Sequence, residues 1–426
     1  MARPFERLTR LKDAIERLLA ILEPVKEVER IPIRDSLGRV LAADIIANVD
    51  IPPFDRAAMD GYAVHAEDTF GANPENPKIF SVIGVSEIGR PFKEFVPHGR
   101  AVYVHTGSKI PEGANAVVPI EYADVHGDVI LVRRAFAPGD NISKRGEDVS
   151  KGRKVLEKGR VITPPDIALM KAIGLRQVEV FRRPKLAVVA CGNELVDDIE
   201  RLEPGKILEY SREIVIGYAK KLGAEVIDLG IVPDSEADIL DVAKLVRGQV
   251  DVLVTVGGTS IGEHDLIPRL ISRHGELAFH GVAIEPGKPT CAGKIGSLPI
   301  LGLPGLPVAT FIATITILQR ALERLSGVSG EYSPRVMKAI LNRRIWSKPG
   351  IRTFARVKLF RRNNTIFAEP IAITGSGILS SIVLGDGIVI VPEDLEGIEE
   401  GTTVDVILLR DFNIFEHPLQ AYQYKP

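Results

Sequence analysis

"DVLVTVGGTSIGEHD", Asp251 to Asp265, is the stretch that decides the fold. Its apolar run, Val252 to Val256, is long enough for a buried strand and too short for a buried helix. Gly257 and Gly258 end the run; Thr259, Ser260, Gly262, Glu263 and Asp265 follow. A glycine turn exposes backbone N–H groups that suit an anion, whereas a carboxylate repels one. The two belong together if a cation sits between them.

Working outward, the same strand-then-turn pattern recurs. Lys185–Ala190, Glu225–Gly230, Asp251–Val256, Glu276–Ile284 and Pro299–Leu303 read as strands. Ser211–Leu222, Ser235–Val246, Asp265–Arg273 and Leu306–Leu325 read as helices. This alternation predicts a parallel sheet covered on both faces. Upstream, Leu8, Leu11, Ile15, Leu18, Leu19 and Leu22 recur at helical spacing, and Pro24 closes that helix. Residues 48–148 are rich in Gly and Pro with short β-like runs. Thr163, followed by Pro164 and Pro165, predicts a capped helix over Asp166–Ile173. After Ser329 short strands return, as in a small barrel or sandwich. The fold class expected is multi-domain α/β plus β. Residues 1–48 and 149–182 form a connecting domain, 49–148 a β-rich module, 183–329 an α/β domain and 330–426 a C-terminal β-barrel.

The 426 residues leave room for roughly two to four domains. Formal charge is −2 with no run of one sign, so neither nucleic acid nor a membrane is the expected partner. Two cysteines, Cys191 and Cys291, are too few for a disulfide scaffold or zinc cluster and fit a reducing compartment. The N-terminal stretch lacks a signal-peptide core, and Val308–Leu318 is too short to span a bilayer. A soluble cytoplasmic protein is expected.

Ligands of open parallel sheets bind beyond the carboxyl ends of the strands. The loops there are "CGNEL" with Glu194, "IVPDS" with Asp234, the opening turn with Gly257, Gly258, Ser260 and Asp265, "EPGKP" with Lys288, and "PG" ahead of a helix. Taken singly, each is an ordinary turn or cap. Together they combine anion-binding turns, one lysine and three acids, which suits a phosphorylated ligand held partly through Mg²⁺. Neither a dinucleotide fingerprint nor a Walker loop is present. In the β-rich module, Asp60-Gly61 reads as a hairpin turn, Thr106-Gly107-Ser108 as a hydroxyl-rich turn, and Asp140 to Asp148 as a solvated charged turn.

Seven stretches, in order, carry a resemblance: "FDRAAMDGYAV", "TGSKIPEGANAVV", "NISKRGEDV", "GGTSIGEHD", "PGKP", "LPGLPVA" and "GSGILSS". The chain resembles the molybdopterin molybdenumtransferases, related to the gephyrin E domain, over nearly its whole length. The resemblance implies an elongated homodimer of four-domain subunits, with an α/β domain like the molybdopterin adenylyltransferase fold. The site would lie between the α/β domain of one subunit and the β-rich module of the other. The implied reaction inserts molybdate or tungstate into adenylylated molybdopterin, with Mg²⁺-dependent phosphoanhydride cleavage and AMP release. A separate molybdopterin adenylyltransferase is an implied candidate partner.

By the same resemblance, Glu194 and Asp265 are metal-ligand candidates. Asp234, Gly257, Gly258, Ser260, Lys288 and Ser376 are substrate-binding candidates. Asp60, Thr106 and Asp148 are catalytic candidates, and Arg352 and Arg356 sit in barrel motifs near the implied cleft. The sequence departs from the family pattern at Ser143, Asn193, Gly281, Glu285 and Leu306, several of which remove positive charge from a site meant for anions. Two alternative readings are an adenylyltransferase acting on molybdopterin and a non-catalytic pterin-binding paralogue.

Overall fold

The computed structural model describes residues 8–259, 265–330, 333–372 and 375–409. The chain divides into two compact units, Met1–Glu29 with Phe181–Pro426, and Arg30–Val180.

In the first unit a helix, α1 (Leu11–Ile21), buries Leu11, Ala14 and Leu18 in the same core as the α/β sheet. The expectation grouped this helix with the connecting domain. Its apolar stripe instead finds its cover in the first unit, where Thr9 bridges to Val282. The sheet has six strands: β1 (Lys185–Cys191), β2 (Glu225–Val232), β3 (Val252–Val256), β4 (Glu276–His280), β5 (Cys291–Ile295) and β6 (Leu298–Leu303). Their order is β2-β1-β3-β6-β5-β4. Strands β2, β1, β3 and β6 are mutually parallel. Helices α2 (Ser211–Lys221), α3 (Glu236–Val246) and α4 (Leu266–His274) connect them. The helix after β6, α5, runs from Pro307 to Ser326, with Thr314–Leu318 wound as a π-helix. Strand β3 is buried at every position, as a strand covered on both faces must be.

Two expectations need correction here. The strand expected over Glu276–Ile284 stops at His280, because Gly281 turns the chain at φ +80°. Cys291–Ile295, not expected as a strand, pairs antiparallel with both β4 and β6. Two reversals leave β4 pointing the same way as the parallel strands. The "EPGKP" loop after it therefore still emerges at their carboxyl edge.

The C-terminal strands of this unit form a closed barrel. Its strands are β7 (Val336–Leu341), β8 (Arg352–Arg362), β9 (Thr365–Ala372), β10 (Gly387–Val391) and β11 (Thr403–Leu408). Pairings β8–β9, β9–β7, β7–β11, β11–β10 and β10–β8 complete the ring. Closure leaves no open sheet edge. Ile284 and Glu285 pair with Arg352 and Thr353, so the barrel braces the loop that carries Lys288.

The second unit contains a six-stranded sheet built from residues 61–132 around Tyr62, Phe80, Val118 and Ile130. A separate core joins Leu41 and Ile45 to Val149, Ile162, Met170 and Val178, bringing the two segments that flank the module together. The expected helix there is Pro164–Ala172. Asp166 accepts from the Thr163 backbone N–H at 2.9 Å and from its hydroxyl at 2.7 Å. No helix among the described residues is long and apolar enough to cross a membrane.

Candidate functional site

Beyond the carboxyl edge of the sheet lies a cavity of about 650 Å³. It is lined by Glu194, Asp234, Gly257, Gly258, Lys288 and Ser376, six of the expected residues, which come from four strand-end loops and the barrel. The glycines are there for steric reasons. Gly257 has φ +92°, and a Cβ on it would collide with the Cys191 carbonyl oxygen. Gly258 has φ +68°, and a Cβ there would press on Ile267 at 3.0 Å. These conformations are open to glycine and strained for other residues.

Three charged groups of the cavity contrast with the charged turn of the second unit. Glu194, Asp234 and Lys288 make no ion pair among the described residues, so their charges are available to a ligand. By contrast, the charged turn "SKRGED" of the second unit is tied down. Lys144 pairs with Asp55 at 3.2 Å, Arg145 with Asp50 at 2.6 Å, and the Arg145 N–H donates to Asp55 at 2.8 Å. The Lys288 loop is fixed by the Val282 N–H donating to the Lys288 carbonyl at 2.8 Å and by the Thr290 hydroxyl donating to the Gly287 carbonyl at 2.7 Å. Asn193, where an acid was the family pattern, accepts the Asp234 N–H through its amide oxygen at 3.2 Å. An acceptor suffices for that duty, so the departure leaves the loop tie intact. Glu285 and Leu306, two other departures, line the cavity itself.

Not every expected residue gathers here. Asp265 lines a separate shallow cleft with Arg269, Arg273 and His280, its carboxylate 2.8 Å from His280 Nε2. Ser260 falls outside the described residues. Asp60 and Thr106, in the second unit, are joined: the Thr106 N–H and hydroxyl both donate to Asp60 Oδ1, at 2.6 and 2.9 Å. Those two donors, the backbone N–H foremost, hold the Asp60 carboxyl below its ordinary pKa. Asp148 is exposed, and its backbone N–H donates to the Ile51 carbonyl. In the barrel, Arg352 pairs with Glu393 at 2.8 Å. Arg356 is wholly buried and bonds Ser381 Oγ and the Phe354 carbonyl at 3.3 Å each. Burial pulls its pKa down to about 10. Neither arginine lines the cavity.

Sequence reasoning missed Cys191 and the segment Ile207–Ser211, all of which line the cavity. Burial pushes the Cys191 thiol up to about 12, so it is a wall and not a nucleophile. Glu209 caps α2, accepting the Arg212 N–H at 2.8 Å, and burial raises its pKa. An acid three residues ahead of a helical N–H reads as a cap in any sequence; nothing local says that the cap faces a cavity.

A cation that arrives with a phosphorylated ligand fits this donor set. Among the described residues no group of three or more His, Cys, Asp or Glu side chains could hold a metal by itself. Mg²⁺, however, usually takes only one or two carboxylates and completes its shell with phosphate oxygens and water. Glu194, with Asp234 or Glu285 of the same lining, can meet that demand; Asp265 lies outside it.

Comparison with known proteins agrees with this architecture. Residues 9–174 match the MoeA N-terminal region (domain I and II), residues 187–324 a probable molybdopterin binding domain, and residues 338–409 the MoeA C-terminal region (domain IV). The chain is 32 % identical over 398 residues to the molybdopterin molybdenumtransferase of Haemophilus influenzae, covering 93 % of this chain and 97 % of that one. It is 33 % identical over 398 residues to that of Bacillus subtilis, covering 92 % of each. The crystal structure of the molybdopterin biosynthesis moeA protein from Pyrococcus horikoshii OT3 superposes with a TM-score of 0.80 at 36 % identity, over 94 % of this chain and all of that one. Three domain models in register, full-length relatives and a shared fold place the cavity within a known architecture: the chain belongs to the molybdopterin molybdenumtransferase family.

Proposed function

We propose that the chain inserts molybdate or tungstate into adenylylated molybdopterin, with Mg²⁺-dependent cleavage of the phosphoanhydride and release of AMP. The observation that carries the reading is a cavity of about 650 Å³ at one sheet edge, where glycine turns and carboxylates converge with Lys288, which has no ion-pair partner among the described residues. Its size suits a ligand larger than a free nucleotide phosphate group.

Both reactants are anions, and the cavity must offset their repulsion. Lys288 supplies one fixed positive charge, and the donor-rich Gly257-Gly258 turn supplies main-chain N–H groups, both suited to phosphoryl oxygens. Bound Mg²⁺ would offset the negative charge that the cleaving anhydride develops, held by Glu194 together with the substrate's own phosphates. Cleavage adds an oxygen nucleophile to phosphorus and expels AMP. Asp60, kept ionised by the two Thr106 donors, is suited to orienting that nucleophile. The family resemblance implies that a second copy presents Asp60 to the cavity, so a homodimer is the proposed working unit.

The test is turnover of purified chain with adenylylated molybdopterin, Mg²⁺ and molybdate or tungstate, following AMP and metal-loaded pterin. The reading expects both products in equal amounts and a loss on chelating divalent ions. Lys288→Ala should lower kcat/KM by about 100-fold, the scale of one lost charge-stabilising donor. AMP formation from ATP and unadenylylated pterin would instead identify an adenylyltransferase. Binding with no turnover would leave a non-catalytic pterin-binding protein.

A further inference from the structure

The cavity has a wall that no expected residue explains. Between Gly192 and Tyr210 the chain leaves β1 and forms a strap. Leu195–Val196 pairs with Ile207–Leu208, and Glu194, Leu195, Ile207, Leu208 and Tyr210 all line the cavity. Its outer part, residues 197–205, is exposed. Among the described residues, one side-chain hydrogen bond ties that outer part to the scaffold: Asp197 Oδ1 accepts from Arg212 Nη2 at 3.0 Å.

Arg212 is an unusual anchor. It sits in the first turn of α2, where a cation opposes the helix dipole. Its side chain is only 7 % exposed. Asp228 lies 3.3 Å and Glu209 3.6 Å from Nε. Strand β2 bulges opposite Val189, and Gly230 in the bulge takes φ +72°, a conformation that favours glycine, with the Arg212 guanidinium alongside it. Bulges of this kind re-aim side chains near functional sites. Glu209 and Asp228 already balance the Arg212 charge, so neutralisation does not require Asp197, which is half-exposed. What Asp197 adds is a fixed position for the strap. Glu194 lies three residues before it, and the Ile207 N–H holds the Glu194 carbonyl at 2.9 Å.

We propose that Arg212 is a positioning residue: through Asp197 it fixes the Gly192–Tyr210 strap, and with it the Glu194 carboxylate, over the cavity. Its effect on turnover rests on the function proposed above; its hold on the strap does not.

The experiment compares full-length wild type with Asp197→Ala, an exposed change that leaves the core intact, and with Asp197→Glu. Limited trypsin digestion reads strap opening through cleavage after Arg201. Asp197→Ala should be cut at least roughly threefold faster, the scale expected for a half-exposed ion pair, with an unchanged thermal midpoint. In the molybdate-insertion assay it should raise KM for adenylylated molybdopterin by a similar factor and preserve kcat. Asp197→Glu should restore both. Equal cleavage rates in wild type and Asp197→Ala overturn the proposal. So does a fall in thermal midpoint that accounts for the faster cleavage. If wild type shows no turnover, the functional reading fails while the digestion still decides the role of Arg212.

Discussion

Asp60 and Thr106 show how much a single residue pair can fix. Both donors come from one threonine, and they act on one carboxylate oxygen. Thr106→Val removes the hydroxyl and keeps the backbone N–H, so the Asp60 pKa should rise only part of the way to its ordinary value. Carboxyl ¹³C NMR titration of wild type and variant would read this directly. A carboxyl whose folded pKa is depressed contributes stability above its unfolded pKa and loses it as pH falls through the folded value. The variant should therefore be less stable above pH 4, and should approach wild type in acid below both pKa values; an unshifted Asp60 would show that the hydroxyl bond does not form. Glu285 carries a second residue-scale consequence. It places a carboxylate in the wall beside Lys288, where the family pattern has lysine. Glu285→Lys should tighten AMP binding by roughly tenfold, measured by calorimetry at low salt, because it both removes a repulsion and adds an attraction. An unchanged or weaker affinity would show that the anion does not sit near this wall.

At the scale of elements, turn chemistry carries the site. Gly257→Ala meets both a positive φ and the Cys191 carbonyl, so it should destabilise the first unit by about 1–3 kcal/mol in denaturant titrations. Stability equal to wild type would show that the turn readily adopts another path. Thr163→Ala removes one half of a capping box in the second unit and should cost about 1 kcal/mol. The strands that bear the site were legible because parallel strands buried on both faces read as continuous apolar runs, as Val252–Val256 does. Cys291–Ile295 was not, because "CAGKI" has neither alternation nor an apolar run. Its strand character comes from β4 and β6 on either side. The last barrel strand, Thr403–Leu408, was missed although it alternates, exposed and buried, over its first four residues. The strap was also illegible: its pairs are two residues long, and only tertiary placement gives them a cavity to line.

On the scale of the whole chain, the sequence reading and the structure agree on what is contained and differ on what is grouped. Glu194, Asp234 and Lys288 are separated by up to 94 positions yet share one cavity, because successive strands of a parallel sheet deliver their carboxyl ends to the same edge. Asp265 follows one of those strands too, but it opens α4 and turns to His280. Strand order told that it was near the edge; only packing told which cleft it faced. The separate cores of the two units should also appear in calorimetry as more than one unfolding transition. A single two-state transition would mean that the units unfold as one.

The central claim is that the cavity at the strand ends holds a phosphorylated pterin through Lys288 and a cation near Glu194. The most direct measurement is a crystal structure of the protein soaked with adenylylated molybdopterin and Mn²⁺, read by anomalous scattering. Phosphate oxygens are expected within hydrogen-bond distance of Lys288 Nζ, with an anomalous peak beside the Glu194 carboxylate. Ligand density lying wholly outside this cavity, with Lys288 and Glu194 untouched, would contradict it.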